Sequence, residues 1–284
     1  DKTFAADNQP TRKPGTGLVA HLLKDPKFDI ANSFVIGDRW SDIALAKNIG
    51  CKAIYLKSTL HDLTVEQELE LRPVIAFEAN TWSEIYSFLK LGLRKVSHVR
   101  NTKETKISVE LNLDGKGEAK IETGLGFFDH MLEQIARHGA LDLNIKCDGD
   151  LDIDEHHTIE DVGIALGEAF ALGLSDKRGM ERYGYALPMD EAEAKVLIDF
   201  GGRNWIVWEA EFKREKIGEM PTEMFFHFFK SFSDAAKANV NISCKGDNEH
   251  HKIEAIFKAF AKSIKMAVKR NPESDALPST KGVL

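Results

Sequence analysis

The sequence predicts an α+β protein built from two related halves and preceded by a shorter segment of α/β character. Three observations lead there. From residue 1 to about residue 90, short apolar strands alternate with amphipathic helices, the pattern of a parallel sheet. From about residue 95, strands of period two are followed by helices, and the order strand pair, helix, strand, helix occurs twice. One short string also occurs twice, as His156-His157-Thr158-Ile159-Glu160 and as His250-His251-Lys252-Ile253-Glu254, with each matched residue displaced by 94 positions. Three residue types matching at one offset indicate internal duplication.

In chain order, Thr16–Leu23 reads as a helix after the Pro14-Gly15 turn, and Phe34–Asp38 as a buried strand with an acidic tip. Ser41–Asn48 is a helix capped by Ser41 and closed by Gly50. Cys51–Leu56 is a strand, Val65–Leu71 a polar helix, and Val74–Phe77 with Trp82–Leu89 a last strand–helix pair. The pattern changes near Arg94, which divides the chain into residues 1–94 and 95–284. Lys106–Asn112 and Glu118–Thr123 are expected as a hairpin about Asp114-Gly115-Lys116-Gly117. A helix over Gly126–His138, a strand over Leu141–Cys147 and the first HHxxE helix follow. The second half, from about residue 187, repeats the order with strands Ala192–Asp199 and Trp205–Phe212, helix Thr222–Ala238, strand Val240–Cys244 and the second HHxxE helix. The first half is then about 95–186 and the second about 187–284.

A net charge of −7 over 284 residues supplies no basic footprint for nucleic acid or an anionic membrane. No apolar run approaches the roughly 18 residues of a membrane span, and no secretory leader is evident. Cys51, Cys147 and Cys244 read as buried thiols of a reducing compartment, so the cytoplasm is the expected location. The chain opens on Asp1, and is expected to be a fragment.

The repeated string carries chemistry. On a helix its first His and its Glu are i and i+4 and share a face, while the second His sits about 100° around. One ligand for each of two ions is the simplest use of such a pair. A further His accompanies each copy, His130 in Gly126-Phe127-Phe128-Asp129-His130 and His227 in Phe225-Phe226-His227-Phe228. The inventory becomes six His and two Glu, four ligands for each of two metals. Imidazole with carboxylate suits borderline divalent ions, and an octahedral manganese ion would keep two positions open for substrate.

Basic turns form a second group. Asp176-Lys177-Arg178-Gly179 precedes Arg182, Gly201-Gly202-Arg203 allows close backbone approach, and Leu277-Pro278-Ser279-Thr280-Lys281-Gly282 offers hydroxyls and a cation. Together they suggest a phosphate held some distance from the metals.

In the first segment, Gly37-Asp38-Arg39-Trp40-Ser41-Asp42 places two carboxylates four apart on a strand-to-helix turn, suited to Mg²⁺ beside a phosphate. Arg12-Lys13-Pro14-Gly15 adds a cation. The segment resembles haloacid-dehalogenase-like phosphatases, specifically the histidinol-phosphatase half of bifunctional histidine-biosynthesis enzymes. That resemblance carries supporting roles onto Lys13, Asp38 and Asp42. The family's DxDxT nucleophile motif lies upstream of the point where this chain begins, and the loop Ala6-Asp7-Asn8-Gln9-Pro10-Thr11 lacks the Cys/His zinc ligands of related phosphatases. A partial phosphatase domain is therefore expected, active with Mg²⁺ only when the upstream segment is present.

From residue 95 onward the strings GFFDHM, HHTIED, LPMDE, GGR, HFF, HHKIEAIFKAF and PSTKG closely resemble the imidazoleglycerol-phosphate dehydratase family. The resemblance implies two Mn²⁺ per site with ligands His130, His156, His157, Glu160, His227, His250, His251 and Glu254. It implies substrate contacts from Glu104, Gln134, His138, Arg182, Arg203, Lys258, Ser279 and Lys281, the last five mainly at the phosphate. It also implies trimers assembled into a 24-subunit shell, with each site shared across subunits. The reaction explains the ligands: with a metal on each ring nitrogen, the substrate's imidazole can drive out the neighbouring hydroxyl. Glu160, Glu254 and Glu104 are the candidates for handling protons. A binuclear metallohydrolase acting on a phosphate ester uses similar ligands and would release phosphate from simple esters. A non-catalytic metal-binding shell would leave the phosphate-type turns without a purpose.

Overall fold

The computed structural model describes residues 9–57, 65–185, 188–282 and 284, and the chain divides into two compact units, Asp1–Gly92 and Leu93–Leu284. The first unit holds β1 (Phe34–Gly37), α1 (Trp40–Ile49), β2 (Lys52–Leu56), α2 (Val65–Leu71), β3 (Ile75–Ala79) and α3 (Trp82–Leu91). Its three strands are parallel in the order β1-β2-β3. Ala53, Ile54 and Tyr55 of the central strand are all buried, the continuous apolar run of a parallel strand covered on both faces. Gly50, with φ 86°, ends α1 in the left-handed conformation.

Two local expectations change here. Thr16–Leu23 is not a helix: Val19 donates to Thr16 O and Leu22 to Val19 O, a chain of tight turns. Gly15 and Gly17 turn their N–H groups to the Arg12 and Pro10 carbonyls, and Pro26 follows, so too few residues remain to nucleate a helix. The N-cap of α1 is Arg39 rather than Ser41, with the Asp42 side chain accepting from the Arg39 backbone N–H.

The second unit opens with β4 (Lys95–Asn101), β5 (Thr105–Asn112), β6 (Ala119–Glu122), α4 (Gly126–Gly139), β7 (Asp142–Gly149) and α5 (His156–Leu174). It continues with β8 (Tyr183–Gly184), β9 (Pro188–Met189), β10 (Ala192–Asp199), β11 (Trp205–Glu209), β12 (Lys216–Ile217), β13 (Met220–Pro221), α6 (Glu223–Ala236), β14 (Asn239–Lys245) and α7 (Glu249–Ala267). One sheet runs β4-β5-β7-β6 and the other β8-β10-β14-β11, with β9 added beside β10. In each, the middle pair is antiparallel and the last strand is parallel to its neighbour. The duplication thus extends to topology.

The expected hairpin about Asp114–Gly117 does not form. β5 pairs with β4 and β7, while β6 crosses to the far edge beside β7. Strand β4 replaces it, and its modest apolar content, Val96 and Val99 among polar residues, gives a weak strand signal. The second sheet likewise begins upstream of residue 187, at β8.

Between the sheets lies a core of buried side chains rich in phenylalanine, with Phe128, Phe225, Phe228, Phe229, Phe257 and Phe260 fully enclosed. Rings of Phe229 lie 5.0 Å from Phe257 and 5.1 Å from Phe260, in tilted and edge-on contacts. Among the described residues no helix is long and apolar enough to cross a membrane. The three cysteines are free thiols.

Candidate active site

The four long helices pair across the duplication. α5 packs against α6 and α4 against α7, so each HHxxE helix lies beside the shorter helix of the other half. Small residues set the α5–α6 spacing: a Cβ at Gly163 would stand 2.9 Å from the Phe228 carbonyl, and one at Gly167 2.7 Å from that of Phe232. This close approach sets His227, in the second turn of α6, against the first turn of α5. The His156 and His227 rings are 5.0 Å apart, and His156 Nε2 is 3.0 Å from Glu160 Oε2. One donor atom from each of His156, Glu160 and His227 lies within 4.8 Å of the others, a spread that small rotamer changes close onto a cation bound at about 2.0–2.2 Å. All three side chains are partly exposed, so an ion can enter.

The second histidine of each pair faces elsewhere. The His156 and His157 rings are 6.2 Å apart at 76°, and those of His250 and His251 are 6.2 Å apart at 75°. His157 Nδ1 is 3.0 Å from Asp150 and His251 Nδ1 is 2.9 Å from Glu191. A carboxylate on Nδ1 fixes the tautomer and leaves the Nε2 lone pair open to a metal ion. Its hydrogen bond also raises the pKa of each imidazole above the ordinary value.

A polar seam runs between α4 and α7. His130, Gln134 and His138 follow at four-residue spacing on one helix; His250, Glu254 and Lys258 do so on the other. Gln134 Oε1 lies 3.0 Å from His138 Nε2, Glu254 is 2.8 Å from Lys258 and 3.6 Å from His250. Burial, then the charges of Lys258 and Lys262, push the His138 pKa down. The ring of Phe127, one turn before His130, is 5.5 Å from that of His250. Among the described residues, His156, Glu160 and His227 form the one three-donor cluster, so a single chain does not gather all eight predicted ligands. Glu104 is exposed in the turn between β4 and β5, and its charge adds to those raising His157.

The predicted basic turns meet in part. Arg182 donates from Nε and Nη2 to Asp199 and from Nη1 to the Pro278 carbonyl at 2.9 Å, which ties β10 to the segment bearing Ser279 and Lys281. Gly179 N–H donates to Ala276 O and Asn271 N–H to Gly179 O, so the chain after α5 is zipped to the C-terminal segment. Lys177 Nζ lies 3.8 Å from where a Cβ on Gly202 would stand. The Arg203 and Lys281 side chains are exposed, and Ser279 Oγ accepts from the Lys281 N–H.

In the first unit, Lys13 Nζ lies 2.5 Å from the buried Asp42 carboxylate, and Asp38 is exposed at the tip of β1. A Cβ on Gly37 would fall 2.1 Å from Asp42 Oδ2, so only glycine admits that carboxylate.

Sequence reasoning missed Asp150, Glu191 and Asp199. Asp150 lies near His157 in sequence, but Glu191 is 60 positions from His251 and Asp199 is 17 from Arg182, and no helical spacing links either pair.

The profile of the family described as imidazoleglycerol-phosphate dehydratase matches residues 123–264, and a HAD-hydrolase-like profile matches residues 10–78. The chain is 59% identical to the histidine biosynthesis bifunctional protein HisB of Spirosoma linguale, with all of this chain and 76% of that protein aligned. It is 58% identical to the HisB protein of Bacteroides fragilis over all of this chain and 75% of that one. The crystal structure of imidazoleglycerol-phosphate dehydratase from Staphylococcus aureus superposes at a TM-score of 0.56 and 35% identity, covering 62% of this chain and 100% of that one. The corresponding structure from Pyrococcus furiosus gives 0.57 and 31%, over 66% of this chain and 99% of that one.

Proposed function

This chain belongs to the family of bifunctional histidine-biosynthesis proteins, and from that premise we propose that its second unit is a metal-dependent imidazoleglycerol-phosphate dehydratase. It is a hydro-lyase that converts imidazole glycerol phosphate to imidazole acetol phosphate. The observation that carries the metal dependence is the convergence of His156, Glu160 and His227, drawn from opposite halves onto one point. Two Mn²⁺ would be held by these residues with His130, His157, His250, His251 and Glu254. Such ions, when bound, polarise the substrate's imidazole ring so that it can drive loss of the adjacent hydroxyl.

The chain's own residues do the rest. A carboxylate accepts the proton from the carbon next to the ring-bearing one, with Glu254 best supported: its oxygens face both His250 and Lys258. Glu160 and Glu104 are the other candidates. Gln134 and His138 line the same seam and orient the substrate. Arg182, Arg203, Lys258, Ser279 and Lys281 hold the phosphate, which supplies binding and alignment away from the reacting bond.

Among the described residues the α4–α7 seam carries polar groups but no three-donor cluster, which supports sites completed by neighbouring copies, as in trimers forming a 24-subunit shell. The cytoplasm is the proposed location. The first unit is proposed as part of a haloacid-dehalogenase-like histidinol-phosphatase domain, with Lys13, Asp38 and Asp42 as supports for phosphate and Mg²⁺. Phosphate release from histidinol phosphate would then require a DxDxT segment joined to this chain.

The test is direct. Metal-stripped protein should lose turnover of imidazole glycerol phosphate and regain it with Mn²⁺, while Glu254→Gln should lower kcat by about 10²-fold or more. Full turnover without divalent cations would refute the metal dependence.

A further inference from the structure

The ion pair beneath the basic turns has a consequence for the phosphate contact. Asp199 is an acid among cations, in the place where a phosphate dianion is proposed to bind. It sits at the end of β10 and accepts from Arg182 Nε at 2.5 Å and from Nη2 at 2.9 Å, a two-point grip that fixes the guanidinium plane. Nη1 reaches the Pro278 carbonyl, and the guanidinium carbon lies 4.7 Å from the Tyr183 ring centroid. A guanidinium has five N–H donors. Among the described residues these bonds commit three, leaving one N–H on each terminal nitrogen to meet the oxygens of a phosphate.

The surroundings are shaped to that geometry. Arg182 has a φ of 71°, a left-handed conformation that a non-glycine residue adopts only when its surroundings hold it there. A Cβ on Gly201 would stand 2.6 Å from Arg182 Nη2 and 2.9 Å from Asp199 Oδ2, so any side chain there would displace the pair from this arrangement. The Arg182 side chain is only 14% exposed, which limits its freedom to swing.

We infer that Asp199 is a positioning residue for phosphate recognition: it orients Arg182 so that the remaining N–H donors of the guanidinium meet the phosphate while another clasps the C-terminal segment bearing Ser279 and Lys281. The inference rests on the proposed phosphate role of Arg182. A charge placed merely for stability would affect melting; a positioning charge must also affect affinity for the anion. Lys177 belongs to the same arrangement. Burial lowers its pKa, while the Asp199 charge works in the opposite direction and favours the ammonium form.

The experiment uses the full, manganese-loaded chain in its native assembly, with inorganic phosphate as the probe and imidazole glycerol phosphate as substrate. Asp199→Asn should raise KM and the phosphate dissociation constant together by about tenfold or more, with kcat changed less than about threefold, as expected when a charge-assisted contact is misaligned. Asp199→Glu keeps the charge and should recover at least part of the loss; it also serves as the second variant should Asp199→Asn fold poorly. An Arg182→Ala protein that loses phosphate binding beside an Asp199→Asn protein that keeps it would overturn the positioning role alone. An Arg182→Ala protein that binds phosphate normally would overturn the phosphate reading and the inference with it.

Discussion

At His157 and His251 the direction of the ring is set by a carboxylate that is not itself a proposed ligand. Asp150 and Glu191 accept from Nδ1 in corresponding ways although they occupy unrelated places in the two halves. Replacing Asp150 by Asn should weaken manganese binding about 10–100-fold, the usual effect of losing such an outer partner, as read from a metal titration of stripped protein. Unchanged affinity would show that His157 needs no such support. The histidines themselves were legible in the sequence because a helix turns a fixed spacing into a shared face. Glu191 was not, because only the fold brings its loop to α7. A different carboxylate governs stability in acid. Burial pushes the Asp114 pKa upward, but hydrogen bonds from Arg94 and the charges of Arg94 and Arg270 outweigh it and hold the group below the ordinary range. A depressed pKa contributes stability above the unfolded value of about 3.9 and loses it as pH falls through the folded value. Asp114→Asn should therefore destabilise the protein by about 1–3 kcal/mol at neutral pH, and the gap from the parent should close in strong acid, as followed by urea melts across pH.

Among the elements, the α5–α6 contact carries the most consequence. Gly163 and Gly167 bring the helices close enough for His227 to stand beside His156. Leucine at Gly167 would meet the Phe232 carbonyl and Ala235 Cβ, both 2.7 Å from the new Cβ, and should lower stability by about 1–3 kcal/mol while also weakening metal binding. A calorimetric melt and a metal titration measure the two effects, and a loss of neither would mean the helices do not need this spacing. A second device joins the halves. The β12–β13 hairpin extends from the connection over residues 210–222, whereas the equivalent connection in the first half spans only residues 123–125. Lys216 pairs with Glu155 ahead of α5 at 2.7 Å, and Glu219 accepts from the Phe127 N–H at the start of α4 at 3.2 Å. The insertion therefore touches the leading ends of two helices that bear proposed ligands. Helices were the most readable elements, since their apolar faces and glycine stops are local. Strand order was not: period two marks Lys106–Asn112 and Glu118–Thr123 as strands but says nothing of β6 lying beyond β7 at the sheet edge.

Across the whole second unit, duplication has been kept in the sheets and relaxed in the seams. Both sheets follow one order and one set of strand directions, and the helices exchange partners so that each half completes the other. The α5–α6 seam passes from His156 and Glu160 to apolar and small residues, while the α4–α7 seam continues through Gln134, His138, Glu254 and Lys258. The two sets of proposed ligands thus flank unequal surroundings, as the proposed reading of one substrate with two metals and a distant phosphate requires. This asymmetry also explains why repetition alone suggests the proposed ligands, whereas the proposed substrate contacts come only from resemblance. Twin clamps are proposed to hold two ions for each chain once copies assemble. Metal analysis of the native assembly, with its mass measured by sedimentation, decides the matter. The expected result is a particle many times the 31.8 kDa chain carrying two manganese ions per protomer. One ion or none per protomer in a fully active preparation would contradict it.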